Sequence, residues 1–166
     1  MPLVSHFPLP TFNELRARGH QVLNLNQAKC QDIRELHIGL LNMMPDAAFQ
    51  VTERQYLGLI GSCNQIVQFY VHPFTVQGLE RDHATAAYIE QYYTSFSDLQ
   101  RSGLDALIIT GANVSNPDLR QEAFWEPLRE VAEWAQETVT SVMCSCLASH
   151  ALIEMLYGVK RSPLDR

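Results

Sequence analysis

Cys146 stands in the run Ser141-Val142-Met143-Cys144-Ser145-Cys146-Leu147-Ala148-Ser149, where an apolar stretch passes without a spacer into a helical pattern. A side chain at such a strand-to-helix turn is held clear of the sheet on a tight backbone. The N–H groups and positive end of the following helix favour a thiolate there. The backbone N–H of Leu147 is then placed to bond an oxyanion. The chemistry this points to is nucleophilic attack by a thiolate. Ser145, Ala148 and Ser149 are small, as a crowded turn requires. The same pattern also fits an unreactive thiol buried at a strand end, the usual state of a cysteine in a reducing compartment.

Other reactive side chains offer less. Cys144 is expected in the core, and Cys30 and Cys63 have no chemical context. The absence of CxxC argues against a zinc or redox motif. His150 follows Cys146 by one helical turn, and its side chain is expected to point away from the mouth of the bend. His37 reads as a structural residue inside a strand. His6, His20, His72 and His83 look scattered, so no metal site is expected. Asp46 and Glu53 read as carboxylates at a helix start, where they favour the dipole.

The elements that must hold Cys146 follow from hydrophobic pattern. Leu36–Leu41, Ile66–Val71, Leu104–Ile109 and Val139–Cys144 are short apolar runs of the kind that form strands buried on both faces. Helices are expected between and after them. One starts near Thr52, with Gln55 completing a capping box and Tyr56, Leu59, Ile60 and Cys63 on its apolar face. Others cover Ala84–Tyr92, residues 121–137 and Leu147–Tyr157. Phe124, Leu128, Val131 and Ala135 give the third of these helices its stripe, flanked by Trp125 and Trp134. Alternating strands and helices predict an open, doubly wound, mostly parallel α/β sheet of flavodoxin-like type. Residues 1–35, with Pro2, Pro8 and Pro10, are expected as an N-terminal arm with one short helix from Thr11 to Arg18 and a short strand over Val22–Leu25. Residues 36–166 are expected as the α/β domain. Ligands of such sheets bind beyond the carboxyl ends of the strands. Asn42–Asp46, Thr110–Ser115 and Ser145–Leu147 all arrive at that edge.

Bulk properties exclude several classes. The chain has 166 residues, a net charge of -6 and 46% hydrophobic residues, which suits one globular domain and gives no basic footprint for nucleic acid. No apolar run is long enough for a membrane span. With no signal-peptide pattern at the start, the expected location is cytoplasmic.

The segments His37-Ile38-Gly39-Leu40-Leu41-Asn42-Met43-Met44-Pro45, Thr52-Glu53-Arg54-Gln55, Leu107-Ile108-Ile109-Thr110-Gly111-Ala112, Ser141–Ala148 and Leu156-Tyr157-Gly158 occur in this order. Together they resemble the homoserine O-succinyltransferase family of homoserine O-acyltransferases, whose fold is that of class I glutamine amidotransferases. The resemblance runs from about residue 36 to the end. It implies acyl transfer from an acyl-CoA co-substrate to the hydroxyl of L-homoserine in methionine biosynthesis, with Cys146 as the acyl-thioester nucleophile and no further cofactor. It implies substrate contacts at Asn42, Thr110 and Gly111. At the position of Ser115 it implies control of acyl choice, where a small neutral residue goes with succinyl-CoA and a glutamate with acetyl-CoA. A glutamate would fill the pocket and repel a succinyl carboxylate.

Two features depart from the family pattern. Asp46-Ala47-Ala48 stands where a lysine pair follows the Met-Pro segment, and Thr52 comes later than the pattern has it. Family enzymes are also much longer, and their catalytic histidine and glutamate lie in a second half. The 166-residue form is therefore expected to be nearly inactive alone and to form a homodimer through apolar surface left uncovered. A glutamine amidotransferase-type hydrolase and a non-catalytic interaction module on the same fold are the rival readings.

Overall fold

The computed structural model describes residues 3–31, 33–63 and 67–162. Its centre is a six-stranded sheet of order β2-β1-β4-β3-β5-β6. The strands are β1 (Leu3–Ser5), β2 (Val22–Asn24), β3 (Arg34–Leu41), β4 (Val67–Phe74), β5 (Ala106–Ile109) and β6 (Ser141–Cys144). Every pairing is parallel. The helices are α1 (Pro10–Ala17), α2 (Leu25–Lys29), α3 (Asp46–Cys63), α4 (His83–Tyr92), α5 (Phe96–Ser102), α6 (Trp125–Thr138) and α7 (Leu147–Tyr157). The expected open parallel α/β architecture is the observed one.

The first 35 residues do more than form an arm. β1 and β2 extend the sheet beyond β4, and Leu3, Leu9, Phe12 and Leu15 are buried in the core. The prolines suggest an extended surface segment, but Pro10 opens α1, a position where its missing N–H costs nothing. β4 was expected to begin at Ile66, which lies outside the described residues. It continues through His72-Pro73 to Phe74.

The sheet is covered on both faces. Leu57 and Ile60 of α3 and Phe12 and Leu15 of α1 pack with Ile38, Leu40 and Val71. Leu128, Val131 and Ala135 of α6 and Ala148 and Ala151 of α7 pack with Leu41, Phe74, Leu107 and Ile109 on the other face. Burying each large apolar side chain of the α6 stripe contributes about 1.5–3 kcal/mol. Gly39 lets the backbone come close to its neighbours, because a Cβ there would sit 2.5 Å from Leu104 Cδ1.

The capping box at Thr52 does not form. α3 already starts at Asp46, directly after Pro45, so Thr52 falls inside the helix. The buried face runs through Phe49, Glu53, Leu57 and Ile60, while Leu59 is 64% exposed and Cys63 is exposed. Reading Glu53 as a carboxylate at a helix start misplaces it, because it lies two turns into α3 on the buried face. β6 also differs from a strand buried on both faces. It lies at the sheet edge and leaves Val142 and Met143 exposed.

Candidate active site

Thr110, Gly111, Ser145 and Cys146 share one cleft at the carboxyl ends of the strands, together with Met44 and Tyr56. The strand order explains the cleft. From β3 the chain passes to β4 on one side, then returns to β5 on the other. The segment after β3 leads into α3 on one face, and the segment after β5 leads toward α6 on the opposite face. The loops therefore diverge and leave a crevice between them.

Cys146 takes φ 54° and ψ −122°, and it has the only positive φ outside glycine among the described residues. Such a backbone costs of order 1–3 kcal/mol and persists only where its surroundings hold it. Three contacts do so here. Ser145 N–H donates to Ile109 O at 2.9 Å, which keeps the residue before the bend in the sheet ladder. Ser149 Oγ donates to Cys144 O at 3.0 Å, and Ala148 N–H donates to Ser145 O at 3.2 Å. The bend leaves the Cys146 side chain exposed to solvent, not packed in the interior.

Leu147 opens α7, so its N–H has no carbonyl one turn earlier in the helix to bond. Gly111 faces the bend closely: a Cβ built on it would lie 3.3 Å from Cys146 Cβ, 3.6 Å from Sγ and 3.7 Å from Leu147 N. Glycine thus leaves room beside both the thiol and the N–H that would receive an oxyanion. Cys144 is partly buried, and burial pushes its thiol pKa up, away from reactivity.

The other residues implicated by sequence divide into two groups. Thr110 is buried, and its Oγ1 accepts from Met43 N–H at 2.9 Å, tying the two diverging loops together at the crevice. Asn42 is 0% exposed. Its Nδ2 donates to Phe49 O and to Tyr93 Oη, and its Oδ1 accepts from Met44 N–H. These bonds engage the polar side-chain atoms of Asn42 within the protein, where they shape the loop after β3. Ser115 does not line the Cys146 cleft. It lines a neighbouring cavity of about 470 Å³ with Met43, Pro45 and Arg81, and Asn113 lines both spaces.

Glu53 is the residue that sequence reasoning placed wrongly. It is 0% exposed and accepts hydrogen bonds from the hydroxyls of Thr11, Tyr88 and Tyr93. Burial is the main cause that raises its pKa, and the three hydroxyls oppose the shift. Tyr93 links this carboxylate to Asn42, so a continuous polar chain runs beneath the cleft wall. The signal available in sequence was the i−4, i, i+4 spacing of Phe49, Glu53 and Leu57. Asp46, by contrast, sits in the first turn of α3 as expected. It accepts from Asp82 N–H and Arg81, and the hydrogen bond from Asp82 is the leading cause of its lowered pKa.

The histidines are not all scattered. His37 Nδ1 and His72 Nε2 are 2.9 Å apart, and the ring of His6 lies 4.7 Å from that of His72. Parallel pairing of β3 with β4 causes this, since it sets Gly39 opposite His72 and His37 opposite Tyr70. Among the described residues no group of three or more His, Cys, Asp or Glu could hold a metal ion. His150 is exposed on α7.

The fold and this bend together define an open parallel α/β protein with a strained cysteine turn at the edge of its ligand crevice. The chain belongs to the homoserine O-succinyltransferase family, whose pattern matches residues 2–166. It is 60% identical to a homoserine O-succinyltransferase of Methylobacter tundripaludum, across 99% of this chain and 46% of that protein. It is 57% identical to one of Methylococcus capsulatus and 59% identical to one of Allochromatium vinosum, each with the same shares covered. The chain thus spans about half the length of the curated relatives it matches. No helix among the described residues is long and apolar enough to cross a membrane.

Proposed function

We propose that this chain is the nucleophile-bearing part of an enzyme that moves a succinyl group from succinyl-CoA to the hydroxyl of L-homoserine in the cytoplasm, as a step of methionine biosynthesis. The Cys146 thiolate attacks the thioester carbonyl, and the oxyanion is met by Leu147 N–H. Collapse expels coenzyme A thiolate, which takes up a proton, and leaves a succinyl thioester on Cys146. Homoserine oxygen then attacks that thioester, loses its proton to a base and releases the Cys146 thiolate. The observation that carries the reading is the backbone at Cys146, with φ 54° and its side chain open to solvent.

The test is intact mass after incubation with succinyl-CoA or acetyl-CoA, followed by peptide mapping. One succinyl group on Cys146, absent in Cys146→Ser, is the expected result. Labelling by a glutamine analogue with none by either acyl-CoA would overturn it in favour of a hydrolase. Ser115 supports the succinyl donor through the space it leaves in its cavity, and Ser115→Glu is expected to shift labelling toward acetyl-CoA. A homodimer belongs to the same proposal, with the exposed Val142 and Met143 of the edge strand as its apolar surface. Gel filtration tests it.

A further inference from the structure

Arg81 is a cation with an idle edge. Its side chain is 9% exposed, and its guanidinium lies over the Phe49 ring, 4.6 Å from the centroid. Nη1 donates to Met44 O at 2.5 Å and to Asp46 Oδ1 at 3.1 Å. Nε and Nη2 are buried and have no hydrogen-bond partner among the described residues. Those two atoms form one side of the planar guanidinium, the side that grips a carboxylate through two parallel N–H bonds. Buried donors left unmade destabilise a fold, so an unmatched pair on a single edge calls for a ligand.

The surroundings say which ligand. Arg81 lines the cavity of about 470 Å³ that also contains Ser115. The carboxylates nearby are already engaged or solvated. Asp46 holds Nη1 and Asp82 N–H, and Glu122 Oε1 accepts from the N–H groups of Ser115 and Asn116. Glu80 is exposed. The cavity is next to the Cys146 cleft. Asn113 lines both, and Met44, whose carbonyl holds Nη1, lines the cleft itself.

We infer that Arg81 and the Ser115 cavity form a subsite for the terminal carboxylate of a dicarboxylic acyl group, gripped by Nε and Nη2. This rests on the proposed acyl transfer and deepens it, because it assigns a residue that separates a succinyl from an acetyl donor. Neither idle N–H touches bulk solvent, so binding turns the guanidinium toward the cavity, with Nη1 kept on Met44 O as the pivot.

The experiment compares this chain with its Arg81→Gln and Arg81→Lys variants, each checked for cooperative thermal unfolding. The ratio of succinyl-CoA to acetyl-CoA acylation rates at Cys146 is read by mass. Arg81→Gln is expected to lower that ratio roughly 10-fold or more, and Arg81→Lys, which keeps charge without the fork, to lower it less. An unchanged ratio in Arg81→Gln overturns the subsite. If neither donor acylates the wild-type chain, the acyl-transfer reading has failed, and the subsite is judged separately by NMR titration with free succinate. Succinate binding that Arg81→Gln abolishes and Cys146→Ser retains supports the subsite. No binding to the wild-type chain, or equal binding to Arg81→Gln, overturns it.

Discussion

Glu53 allows a test in which two substitutions at one position separate charge from hydrogen bonding. The carboxylate is fully buried beneath the cleft wall and receives the hydroxyls of Thr11, Tyr88 and Tyr93. Glu53→Ala removes the acceptor from all three. Each well-buried polar group left unmade costs about 1–3 kcal/mol. Thr11 is 2% exposed, and Tyr93 also receives Asn42 Nδ2, so these two hydroxyls carry most of the loss. The lost carboxylate burden offsets part of it, which leaves a net destabilisation of roughly 3 kcal/mol at neutral pH. Glu53→Gln keeps an acceptor and the shape while abolishing the charge, and is expected within about 1 kcal/mol of wild type.

The pH dependence fixes the sign. Burial raises the folded-state pKa of Glu53 above its ordinary value of 4.5. The folded chain therefore binds the proton more tightly than the unfolded chain. The stability from the neutral carboxyl is fully present below pH 4.5 and is lost as pH rises through the raised folded-state value. Gln cannot titrate. The wild-type advantage over Glu53→Gln should shrink between about pH 4.5 and neutrality, because other groups cancel in the difference. Urea unfolding of the three proteins from pH 4 to 8 measures this. An advantage that grows with pH, or a Gln variant as unstable as the Ala variant, would refute the reasoning.

Three further outcomes can be measured on the same chain. Cys146→Gly should abolish alkylation at that position yet unfold at a slightly higher denaturant concentration than Cys146→Ala, because only glycine accepts φ 54° without strain. Gly111→Ala places a methyl 3.3 Å from Cys146 Cβ, so it is expected to slow iodoacetamide labelling of Cys146 several-fold and to cost roughly 1–2 kcal/mol in urea unfolding. His72 has its pKa lowered to about 3, chiefly by burial and also by His6 and His37. Its neutral form stabilises the fold near neutrality, and this is lost as pH falls below about 6.5, so His72→Gln should flatten the acid arm of a stability–pH curve.

The sheet was legible because Leu36–Leu41, Val67–Val71 and Ala106–Ile109 are short, mostly apolar runs that are largely buried. Cys146 was legible because a strand ends there with no spacer before α7. What escaped depends on contacts between distant segments. Leu3–Ser5 is too short to show a period, and it becomes a strand only by pairing with Val22–Asn24 and Phe69. Glu53 read as a helix-start carboxylate because its three hydroxyl partners come from residues 11, 88 and 93, far away in sequence. His37 and His72 meet through β3–β4 register, which strand patterns alone do not set. The idle edge of Arg81 is invisible for the same reason: a sequence lists donors but not which of them find acceptors.

The cleft also says what the proposed reaction lacks. Beside Cys146 its lining offers Met44, Thr52, Gln55, Tyr56 and Ser145, with no imidazole or carboxylate among the described residues. Leu147 N–H at the start of α7 is placed to meet the oxyanion, so the first half of the reaction needs little more than the bend itself. Homoserine is different, because its hydroxyl must lose a proton as it attacks. A positioned base is worth ~10²–10⁴-fold, and nothing lining the cleft supplies it. The acyl thioester on Cys146 should therefore accumulate and persist when homoserine is added. Free imidazole at tens of millimolar should then speed its transfer, with a rate that follows the fraction of neutral imidazole as pH varies. Mass spectra taken over time measure the decay. A thioester that passes rapidly to homoserine without added base would show that this chain already holds the proton acceptor, and the reading of the cleft as base-free would be wrong.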